Sequence, residues 1–543
     1  MSDQKIYYTK WPQGVPKEIV IPEKTLVDFF EESVKKFPNN VITYYMGFEL
    51  TYSQMIDLVN RTATKLTELG IKKGDCVALQ FANTPSFIAY YYGILKIGGI
   101  VTALSPLFKS LEVKRQLNDS KAKIYIGWEG FSGIVDPIIE ETTVEHKFYG
   151  TLGPYLSPEP MGPPEFEMGG TPTFEDLLRE TAPNPPEVRI SPDDLALFQY
   201  TGGTTGFPKG AMLTHKNIIS NVLQADAWFV DKDPGKEVLL AALPFYHIYM
   251  GTMVHFAIYL GSKLAMVFNP REAHEIVEVI EATKATLFPG VAAIFNNINN
   301  YEKVKEHDFS SLKYCISGAG PLPKDVWKRF EDLTGAKLRE GYGLTEMSPF
   351  VCANPFQDNF KIGSIGFPFP NTDCKICDPQ GNTLNVGEIG ELVCRGPQMM
   401  KGYYKREDET KNTIKDGWLW TGDLAMMDDE GYFIIKERLK NLIKYKGHSV
   451  YPTEVEDLLY NNKVIKECAV IGIIDDEKKE NIKAYVTLKD EYKEKVSEQD
   501  IIDWAKENMA FDKYPRYIEF IDDIPKTIVG KVLHRELRER ENK

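Results

Sequence analysis

The stretch QYTGGTTGFPKGAMLTH, from Gln199 to His215, decides how this chain is interpreted. Between Thr201 and Gly210 it places three threonines and four glycines around Lys209. Such a segment can form a tight turn, a flexible linker or a phosphate-binding loop, because exposed backbone N–H groups, hydroxyls and an ammonium group all bind phosphate oxygens. The rest of the sequence has to decide between these interpretations.

The loop differs from the common nucleotide-binding patterns. The Walker pattern requires Ser or Thr after the lysine, whereas Gly210 follows Lys209, and Thr201 stands where a glycine is required five residues before Gly206. A Rossmann G-x-G-x-x-G pattern is also lacking. The loop alone therefore leaves both a phosphate-binding loop and a plain turn open.

Composition and charge argue against some classes of protein. The chain has 543 residues, more than one hydrophobic core usually supports, so we expect two or more domains. A net charge of -14 argues against a nucleic-acid partner, since binding the phosphate backbone needs clustered Lys and Arg. Seven cysteines spread over the chain do not form the pattern of a disulfide framework, so we expect a cytoplasmic protein.

The apolar segments indicate a core rather than a membrane anchor. The first residues, MSDQKIYYTKWPQG, lack the basic and apolar pattern of a signal peptide. The longest apolar run, Phe87 to Leu104, is interrupted by Lys96 and three glycines, and we interpret it as a buried helix that leads into a strand. No transmembrane helix is expected, and a peripheral contact with a membrane stays open.

Helical and strand patterns alternate in the first hundred residues. TLVDFFEESVKKF has apolar residues at helical spacing, and CVALQFA is interpreted as a buried strand followed by a helix that begins at Pro85. Between Pro154 and Pro192, ten prolines predict a surface excursion without regular structure, which ends at the strand DLALFQY. The alternation predicts an α/β fold.

The last hundred residues form a second pattern. A helix near Glu454 to Tyr460 precedes the strands ECAVIGI and IKAYVTL, a helix capped by Ser497 and Asp500 follows, and YIEFI is the final strand. The predicted hairpin MDDEGYFII comes before the polar segment KERLKNLIKYKG, where a boundary is expected. We therefore predict domains at 1–439 and 440–543, the second a small α+β domain.

Seven short segments follow one another along the chain. They are YTGGTTGFPKG, LPFYHIYMG, SGAGPLP, EGYGLTE, DGWLWTGDL, ERLKNLIKYKG and PKTIVGKVLHR, which begin at Tyr200, Leu243, Ser317, Glu340, Asp416, Glu437 and Pro525. Together they resemble the adenylate-forming, or AMP-binding, superfamily of acyl-CoA synthetases, luciferases and peptide-synthetase adenylation domains. FPGVAAIFNNI, GSIGFPFPNT and GPQMMKGYY are most similar to long-chain fatty-acid CoA ligases.

The resemblance covers almost the whole chain and implies a fold and a reaction. The implied fold is a large multi-layer α/β N-terminal domain with layered sheets and a β-rich subdomain, followed by a small mobile α+β C-terminal domain. In the implied reaction a carboxylate attacks the α-phosphate of ATP to give acyl-AMP and pyrophosphate, and the thiol of coenzyme A then displaces AMP. ATP, Mg²⁺ and coenzyme A are the implied cofactors, and a medium- or long-chain fatty acid is the implied substrate.

The resemblance also implies a nucleotide site. The β- and γ-phosphates are expected at Thr201, Gly202, Gly203, Thr204, Thr205, Gly206 and Lys209. The adenine is expected against Tyr342, with the wall of Gly318, Ala319 and Gly320 opposite. Glu340, Gly341 and Gly343 are expected in the same nucleotide site. Asp423 and Arg438 are expected on the ribose hydroxyls.

Four residues are expected at the reacting groups. The resemblance implies that Lys531 bridges the acyl carboxylate and the α-phosphate and that Thr345 contacts the same phosphate. Glu346 is the implied Mg²⁺ ligand, and one carboxylate suffices because Mg²⁺ also takes phosphate oxygens and water. His247 is expected to orient or gate the substrates between ATP and the acyl group.

An apolar tunnel is expected to hold the acyl chain. Its implied walls are Tyr249, Val291, Ala292, Ala293 and the segment 318–320. The two alanines stand where bulkier residues could stand, so they leave room for a chain. This expectation favours a fatty acid over acetate.

A hinge and a thiol channel are expected at the start of the second domain. The resemblance implies rotation about Lys440 between the two half-reactions, with Lys446 and Gly447 lining the channel for the pantetheine arm of coenzyme A. A Cβ at the glycine would obstruct the thiol. Glu437 departs from the common family pattern, in which Gly or Asp often precedes the arginine.

Other functions stay open. An aryl-, short-chain or hydroxy-acid CoA ligase of the same superfamily would share most of the seven segments. A more distant alternative is a phosphotransferase or ATPase that releases ADP, which only the Gly-Thr loop would support. A non-catalytic nucleotide sensor is opposed by the retention of Lys531, Glu346 and Asp423. A homodimer is compatible with the sequence, which does not indicate an oligomeric state.

Overall fold

The computed structural model describes residues 5–152, 173–201, 208–445, 448–474, 480–493, 495–526 and 532–541. Within these ranges the α-helices are α1 (Leu26–Lys36), α2 (Tyr52–Glu68), α3 (Pro85–Lys96), α4 (Ser110–Ser120), α5 (Ser132–Val135), α6 (Phe174–Glu180), α7 (His215–Trp228), α8 (Ile248–Tyr259), α9 (Ala273–Thr283), α10 (Ala292–Asn300), α11 (Lys324–Thr334), α12 (Glu407–Thr413), α13 (Pro452–Leu459), α14 (Glu498–Asn508) and α15 (His534–Glu541).

The described residues also form β-strands, which alternate with helices mainly in the first part of the chain. The first fifteen are β1 (Val41–Tyr45), β2 (Phe48–Thr51), β3 (Cys76–Gln80), β4 (Ile100–Ala103), β5 (Ala122–Trp128), β6 (His146–Gly150), β7 (Leu195–Thr201), β8 (Lys209–Thr214), β9 (Val238–Ala241), β10 (Lys263–Met266), β11 (Leu287–Gly290), β12 (Tyr314–Ser317), β13 (Lys337–Gly343), β14 (Phe350–Ala353) and β15 (Phe367–Pro368). The others are β16 (Asp373–Cys377), β17 (Gly390–Arg395), β18 (Ile414–Lys415), β19 (Trp418–Met427), β20 (Phe433–Arg438), β21 (Ile443–Tyr445), β22 (His448–Val450), β23 (Ile465–Ile474), β24 (Glu480–Leu488) and β25 (Tyr517–Phe520).

The chain folds into two compact units. The larger comprises residues 11–373 and 395–419, and the smaller comprises residues 1–10, 374–394 and 420–543. Several sheets with flanking helices in the larger unit and a smaller C-terminal α+β part confirm the predicted fold class. The predicted boundary between residues 439 and 440 and the predicted mobility of the second domain stay predictions.

Two sheets form the framework of the larger unit. One has nine strands in the order β15-β14-β13-β12-β11-β9-β10-β1-β2, and the other has six in the order β6-β5-β3-β4-β7-β8. Most neighbouring strands run parallel, including β11 with β12, β12 with β13, and β3 with both β4 and β5. Parallel strands joined through helices are buried on both faces, as β3 and β4 are at every position.

The helices at the start of the larger unit confirm the sequence-based predictions. Helix α1 begins at a capping box in which the Thr25 side chain and Asp28 exchange hydrogen bonds with each other's backbone N–H groups. Helix α3 begins at Pro85, is buried from there to Leu95, and leads into β4 as predicted. No helix within the described ranges has the length and apolar character needed to span a bilayer.

The proline-rich segment contains a helix that the sequence analysis did not predict. Residues 153–172 lie outside the described residues, but Phe174–Glu180 forms α6, so the expectation of no regular structure is wrong there. The helix lies between the prolines rather than across them, and Thr173 caps it together with Asp176. Its apolar face is fixed by Phe174 and Leu178, which are fully buried. The predicted return at the strand DLALFQY is confirmed by β7.

The smaller unit follows the predicted order of elements. Strands β19 and β20 form an antiparallel hairpin, and β23, β24 and β25 form a three-stranded sheet. Helix α14 begins at a capping box between Ser497 and Asp500, as predicted. Val455 of α13, Val470 and Ala484 of the sheet and Ile501 of α14 belong to one buried apolar cluster.

Candidate active site

Four expected site segments lie at the carboxyl ends of neighbouring parallel strands in the nine-stranded sheet. Gly290 at the end of β11 pairs with Ser317 at the end of β12, and Ser317 in turn pairs with Glu340 in β13. The turn that contains His247 follows β9, which is the neighbour of β11. Binding sites of α/β sheets form at this edge, because the connections that leave the strands converge there. The sheet thus brings together segments that are separated by up to a hundred residues in the sequence.

The turn before α8 is fixed by a half-buried hydrogen-bond network around Asn83. The amide nitrogen of Asn83 donates to the carbonyl oxygen of Leu243 at 2.7 Å, and its amide oxygen accepts from the backbone N–H of Phe245 at 2.8 Å. His247 caps α8, and its Nδ1 accepts from the backbone N–H of Tyr249 at 3.2 Å. The imidazole is half-buried. Its expected role beside the substrates stays a prediction, and Asn83 is a supporting residue that the sequence analysis missed.

Tyr249 and Gly318 lie directly against each other. The Tyr249 hydroxyl donates to the carbonyl oxygen of Ile316 at 3.1 Å, which holds the buried ring beside the end of β12. A Cβ added to Gly318 would lie 2.9 Å from Cε1 of that ring, so a side chain here would displace the tyrosine. Ala319 has a φ of 64°, which turns the chain sharply after the strand, and Gly320 is exposed.

The other expected walls of the acyl tunnel lie at the end of β11. Val291 is 3% exposed and precedes α10, whose first two residues are Ala292 and Ala293. Ala292 is half-buried and Ala293 is exposed to solvent in this structure. Their contribution to an acyl tunnel stays a prediction, and Val291 has the burial that such a wall requires.

The segment expected around the adenine forms the end of β13. Burial raises the pKa of the Glu340 carboxyl from its ordinary value to about 8. Gly343 must be a glycine here, because a Cβ would lie 2.3 Å from the carbonyl oxygen of Pro349. Gly341 lies in the same strand, and Tyr342 is half-buried. Stacking of Tyr342 on an adenine stays a prediction.

Glu346 is held by a residue that the sequence analysis did not single out. Thr345, Glu346 and Met347 form a 3₁₀ turn, and the hydroxyl of Tyr403 donates to Oε1 of Glu346 at 2.6 Å. The backbone N–H of Met400 donates to the carbonyl oxygen of Glu346 at 2.8 Å. Burial and the nearby carboxylate raise the pKa of the Tyr403 hydroxyl, so it stays protonated and donates at neutral pH.

Tyr403 reaches Glu346 because its segment pairs with β8. Ala211 and Tyr403 form an antiparallel bridge, and the backbone N–H of Met212 donates to the carbonyl oxygen of Gly402 at 2.9 Å. The only signal in the sequence was the resemblance of GPQMMKGYY to a family segment, which gave no role to this tyrosine. A contact across 57 residues cannot be derived from spacing.

The two described ends of the Gly-Thr loop between Thr201 and Lys209 pair with each other. Thr201 at the end of β7 lies opposite Lys209 at the start of the antiparallel β8. The Lys209 ammonium forms an ion pair with Glu409 and lies 5.0 Å from the centre of the Tyr403 ring. Lys209 and Glu346, two residues expected near the phosphates, thus contact the same tyrosine.

Several expected site residues lie outside the described residues. They are Gly202, Gly203, Thr204, Thr205, Gly206, Lys446, Gly447 and Lys531. Their expected roles on the phosphates, in the thiol channel and at the reacting groups stay predictions.

In the smaller unit, Asp423 and Arg438 form a cross-strand pair on the β19–β20 hairpin. Their backbones are in register, and Nε of Arg438 lies 2.6 Å from Oδ1 of Asp423. The Asp423 side chain is 4% exposed and that of Arg438 is 37% exposed. The arginine therefore fixes a nearly buried carboxylate, and an expected role of both residues on a ribose stays a prediction.

Glu437 joins the two sides of the expected hinge. One carboxylate oxygen accepts from the backbone N–H and the hydroxyl of Thr453 at 2.9 and 2.7 Å. The other accepts from the backbone N–H of Arg438 at 2.7 Å and from the Asn441 amide at 3.2 Å. Lys440 lies between these groups, in the 3₁₀ turn Leu439–Asn441. The departure from the common family pattern thus has a structural role within this unit.

Comparisons with known proteins agree with the resemblance. The family model described as AMP-binding enzyme matches residues 30–404, and the AMP-binding enzyme C-terminal domain matches residues 454–531. Because these matches cover most of the chain, the protein belongs to the AMP-binding enzyme family.

Individual relatives are similar over nearly their full length. A long-chain-fatty-acid-CoA ligase of Bacillus subtilis (strain 168) is 36% identical over 558 residues, which cover 100% of this chain and 99% of the relative. The anthranilate CoA ligase AuaEII in complex with anthranoyl-AMP is a solved structure with a TM-score of 0.85 and 26% identity, covering 96% of this chain and 98% of that one. The Mycobacterium tuberculosis fatty acyl CoA synthetase has a TM-score of 0.75 and 28% identity, covering 95% and 98%.

Proposed function

We propose that this protein is an AMP-forming acid-thiol ligase that converts a medium- or long-chain fatty acid, ATP and coenzyme A into acyl-CoA, AMP and pyrophosphate. The observation that carries the proposal is the 36% identity, over the full length of both chains, to a long-chain-fatty-acid-CoA ligase. The site segments at the edge of the nine-stranded sheet support it, because they lie within the residues that the AMP-binding enzyme model matches and resemble the family's nucleotide and acyl segments.

The chemistry has two steps. A carboxylate oxygen of the fatty acid attacks the α-phosphorus of ATP, and pyrophosphate leaves with the electron pair of the broken P–O bond. The sulfur of coenzyme A then attacks the carbonyl carbon of the acyl-AMP, and AMP leaves. Both reactants of the first step are anions, so the protein must neutralise charge and align the groups rather than supply a strong base. The fatty-acid carboxylate is already ionised at neutral pH.

Each site segment has a proposed part in the first step. Lys209 and the loop that it follows bind the β- and γ-phosphates, Thr345 binds the α-phosphate, and Lys531 bridges that phosphate and the attacking carboxylate. Tyr342 and the 318–320 wall bind the adenine. Asp423 accepts hydrogen bonds from the ribose hydroxyls, which its nearly buried, arginine-oriented carboxylate suits.

Glu346 is the proposed Mg²⁺ ligand. No group of three or more His, Cys, Asp or Glu side chains that could hold a metal ion occurs among the described residues, so a cation here would rest on one carboxylate and on substrate oxygens. The half-buried Glu346 carboxylate, held through Oε1 by Tyr403, fits this coordination. Bound Mg²⁺ would supply charge neutralisation on the phosphate oxygens.

The second step places coenzyme A near the segment after Lys440. Lys446 and Gly447 are proposed to line the pantetheine channel, and rotation about Lys440 is proposed to replace Lys531 by this segment once acyl-AMP has formed. A polar residue in a short 3₁₀ turn can absorb a change in φ and ψ at little cost in packing.

The proposed acyl site is the structural argument for a fatty acid. Tyr249 and Val291, which are both buried, are its proposed walls, and Gly318 lies beside Tyr249 without a side chain of its own. An aryl-CoA ligase is the second candidate, because the solved anthranilate CoA ligase has the highest of the TM-scores given above. Each buried methylene adds about 0.8 kcal/mol to binding, so a fatty-acid tunnel predicts activity that rises with chain length.

The proposed setting is the cytoplasm, with the substrates as partners. The seven cysteines are all buried and form no disulfide, which suits a reducing compartment. A homodimer and a peripheral contact with membranes are further proposals, which light scattering and vesicle sedimentation would test.

The function is tested by product analysis. The purified protein is incubated with ATP, Mg²⁺ and acids from acetate to palmitate, with benzoate as the aryl acid, with and without coenzyme A. We expect AMP and pyrophosphate, activity that rises from acetate to octanoate and beyond, and a thioester only when coenzyme A is present. Release of ADP and phosphate would contradict the proposal, and a preference for acetate or benzoate would contradict the fatty acid.

A further inference from the structure

One tyrosine contacts two groups that are proposed to act on the phosphates of ATP. The hydroxyl of Tyr403 donates to Oε1 of Glu346 at 2.6 Å, and the ammonium of Lys209 lies 5.0 Å from the centre of the ring. Lys209 begins β8, whereas Glu346 lies in the turn after β13. The two contacts use different parts of the side chain, the hydroxyl and the face of the ring.

Tyr403 is itself held in place. It is 7% exposed, its backbone N–H donates to the Thr410 hydroxyl at 2.9 Å, and it forms an antiparallel bridge with Ala211 of β8. The Tyr403 segment pairs with β8, the strand that begins at Lys209. The tyrosine therefore holds Glu346 at a fixed position relative to that strand. This arrangement is more than close packing, because the phenol makes a directed hydrogen bond to a charged group.

The hydroxyl and the ring have separable consequences. A hydrogen bond to Oε1 fixes the rotation of the Glu346 carboxylate and thereby the direction in which Oε2 points. The ring face attracts the ammonium of Lys209, which also pairs with Glu409, and so restricts the positions that this ammonium can take.

We propose that Tyr403 is a positioning residue that aligns Glu346 for Mg²⁺ and Lys209 for the phosphates of the same ATP molecule. The inference rests on the proposed function, since it takes ATP as the ligand. Tyr403 touches neither substrate nor metal in this account, and it acts through the two residues that it orients.

The test uses three variants. Tyr403→Phe removes only the hydroxyl, and Tyr403→Leu removes the hydroxyl and the ring face. Tyr404→Phe is the matched control, because Tyr404 is the next residue and its ring stacks on Phe198 at 4.4 Å, away from Glu346 in its contacts. Acid-dependent exchange of pyrophosphate into ATP is measured as a function of Mg²⁺ concentration, and ATP binding is measured by calorimetry with Mg²⁺ and with EDTA.

The two Tyr403 variants should differ in a defined way. Loss of an outer hydrogen bond to a metal ligand typically weakens metal binding about tenfold or more, so Tyr403→Phe should raise the Mg²⁺ concentration for half-maximal exchange by about that factor. ATP binding in EDTA should stay within about twofold for Tyr403→Phe and weaken by a further factor of about three to five for Tyr403→Leu, through loss of the cation-π contact. Tyr404→Phe should match the wild type in every measurement.

Two results would overturn the inference. One is a Tyr403→Phe protein with the Mg²⁺ dependence of the wild type. The other is equal damage from Tyr403→Phe and Tyr404→Phe, which would indicate a structural role of the whole segment. If the wild type catalyses no acid-dependent exchange, the proposed function fails, and the calorimetric comparison with and without Mg²⁺ still decides the role of Tyr403. Thermal unfolding of each variant identifies a protein that has lost its fold.

Discussion

Asp423 and Arg438 face each other across the β19–β20 hairpin, with 2.6 Å between Oδ1 of the aspartate and Nε of the arginine. The carboxylate is nearly buried, while the guanidinium is more than one-third exposed. Arg438 therefore lowers the free-energy cost of burying the charged Asp423 carboxylate. In the proposed account this acceptor binds the ribose of ATP.

Asp423→Asn should weaken ATP use without removing the fold. The amide carries no negative charge for the ribose hydroxyls or for Arg438, and a hydrogen bond to a charged group contributes about 1.5 to 3 kcal/mol. We expect the KM for ATP in pyrophosphate exchange to rise by about tenfold or more. Asp429→Asn, the same change at an exposed turn position of this hairpin, is the control and should have the KM of the wild type. Equal KM values for ATP in both variants would show that Asp423 does not bind the nucleotide.

Lys531→Ala should separate the two half-reactions. The ammonium is proposed to compensate charge only while the fatty-acid carboxylate and the α-phosphate approach each other. Loss of such a contact costs roughly 3 kcal/mol or more, on the order of a hundredfold in rate. Pyrophosphate exchange should fall by that factor, and thioester formation from supplied acyl-AMP should be spared. Lys526→Ala, which removes a surface lysine paired with Glu467, is the control. Similar losses of rate in both half-reactions would be evidence against the role of Lys531 in acyl-AMP formation.

Lys440→Pro should hold the smaller part of the protein in one orientation. Proline fixes φ near about -65°, so the residue could no longer absorb the rotation. Glu437 accepts hydrogen bonds from Asn441 and Thr453 and so holds the segments on either side of Lys440 together. The effect of the proline should therefore be confined to residue 440. Pyrophosphate exchange should stay within about tenfold while thioester formation falls by roughly a hundredfold or more, each tenfold step corresponding to about 1.4 kcal/mol. Lys440→Ala, which keeps the backbone free, is the control. Wild-type rates for both half-reactions in the proline variant would exclude this residue as the hinge.

Glu175 gives the stability of the larger unit a defined pH dependence. Burial raises its pKa from an ordinary value near 4.5 to about 7, even though Tyr90 donates a hydrogen bond to it at 2.7 Å. The unfolded chain therefore loses this proton at a lower pH than the folded protein, so stability falls as pH rises from about 4.5 to about 7 and then levels. One pKa unit corresponds to about 1.4 kcal/mol, which makes the change on the order of 3 kcal/mol.

The variant Glu175→Gln stays neutral and lacks this contribution. Its melting temperature relative to the wild type should therefore increase by a few degrees between pH 5 and pH 8, as measured by scanning calorimetry. Glu180→Gln, at the exposed end of the same helix, is the control and should show a constant difference. A constant difference for Glu175→Gln as well would contradict the raised pKa.

The sequence predicted those elements whose determinants are local. The capping residues Thr25 and Ser497 and the proline that begins α3 mark helix starts that need no tertiary information. Helix α6 was missed because the density of prolines around it outweighed a short segment whose burial depends on distant partners. Its Phe174 ring packs edge-on against Tyr90 at 5.0 Å, and no local pattern encodes that contact.

The site was predicted to the extent that it consists of recognisable segments. The resemblance to family segments gave Glu346 and Lys209 as candidates, but their common contact Tyr403 lies on a different segment that pairs with β8. The same holds for Glu437, whose departure from the family pattern was visible while its bonds to Thr453 were not. Supporting residues of this kind are defined by the packing of distant segments rather than by residue type.

The central claim is that the fatty-acid carboxylate attacks the α-phosphate of ATP, and an oxygen-labelling experiment tests it most directly. The acid is supplied with ¹⁸O in its carboxylate, together with ATP, Mg²⁺ and coenzyme A, and the phosphorus-containing products are analysed by mass spectrometry. Attack on the α-phosphorus followed by thiol attack on the carbonyl carbon leaves one carboxylate oxygen on the phosphate of AMP. The account predicts AMP with one ¹⁸O atom and unlabelled pyrophosphate, whereas ¹⁸O in inorganic phosphate accompanied by ADP would contradict it.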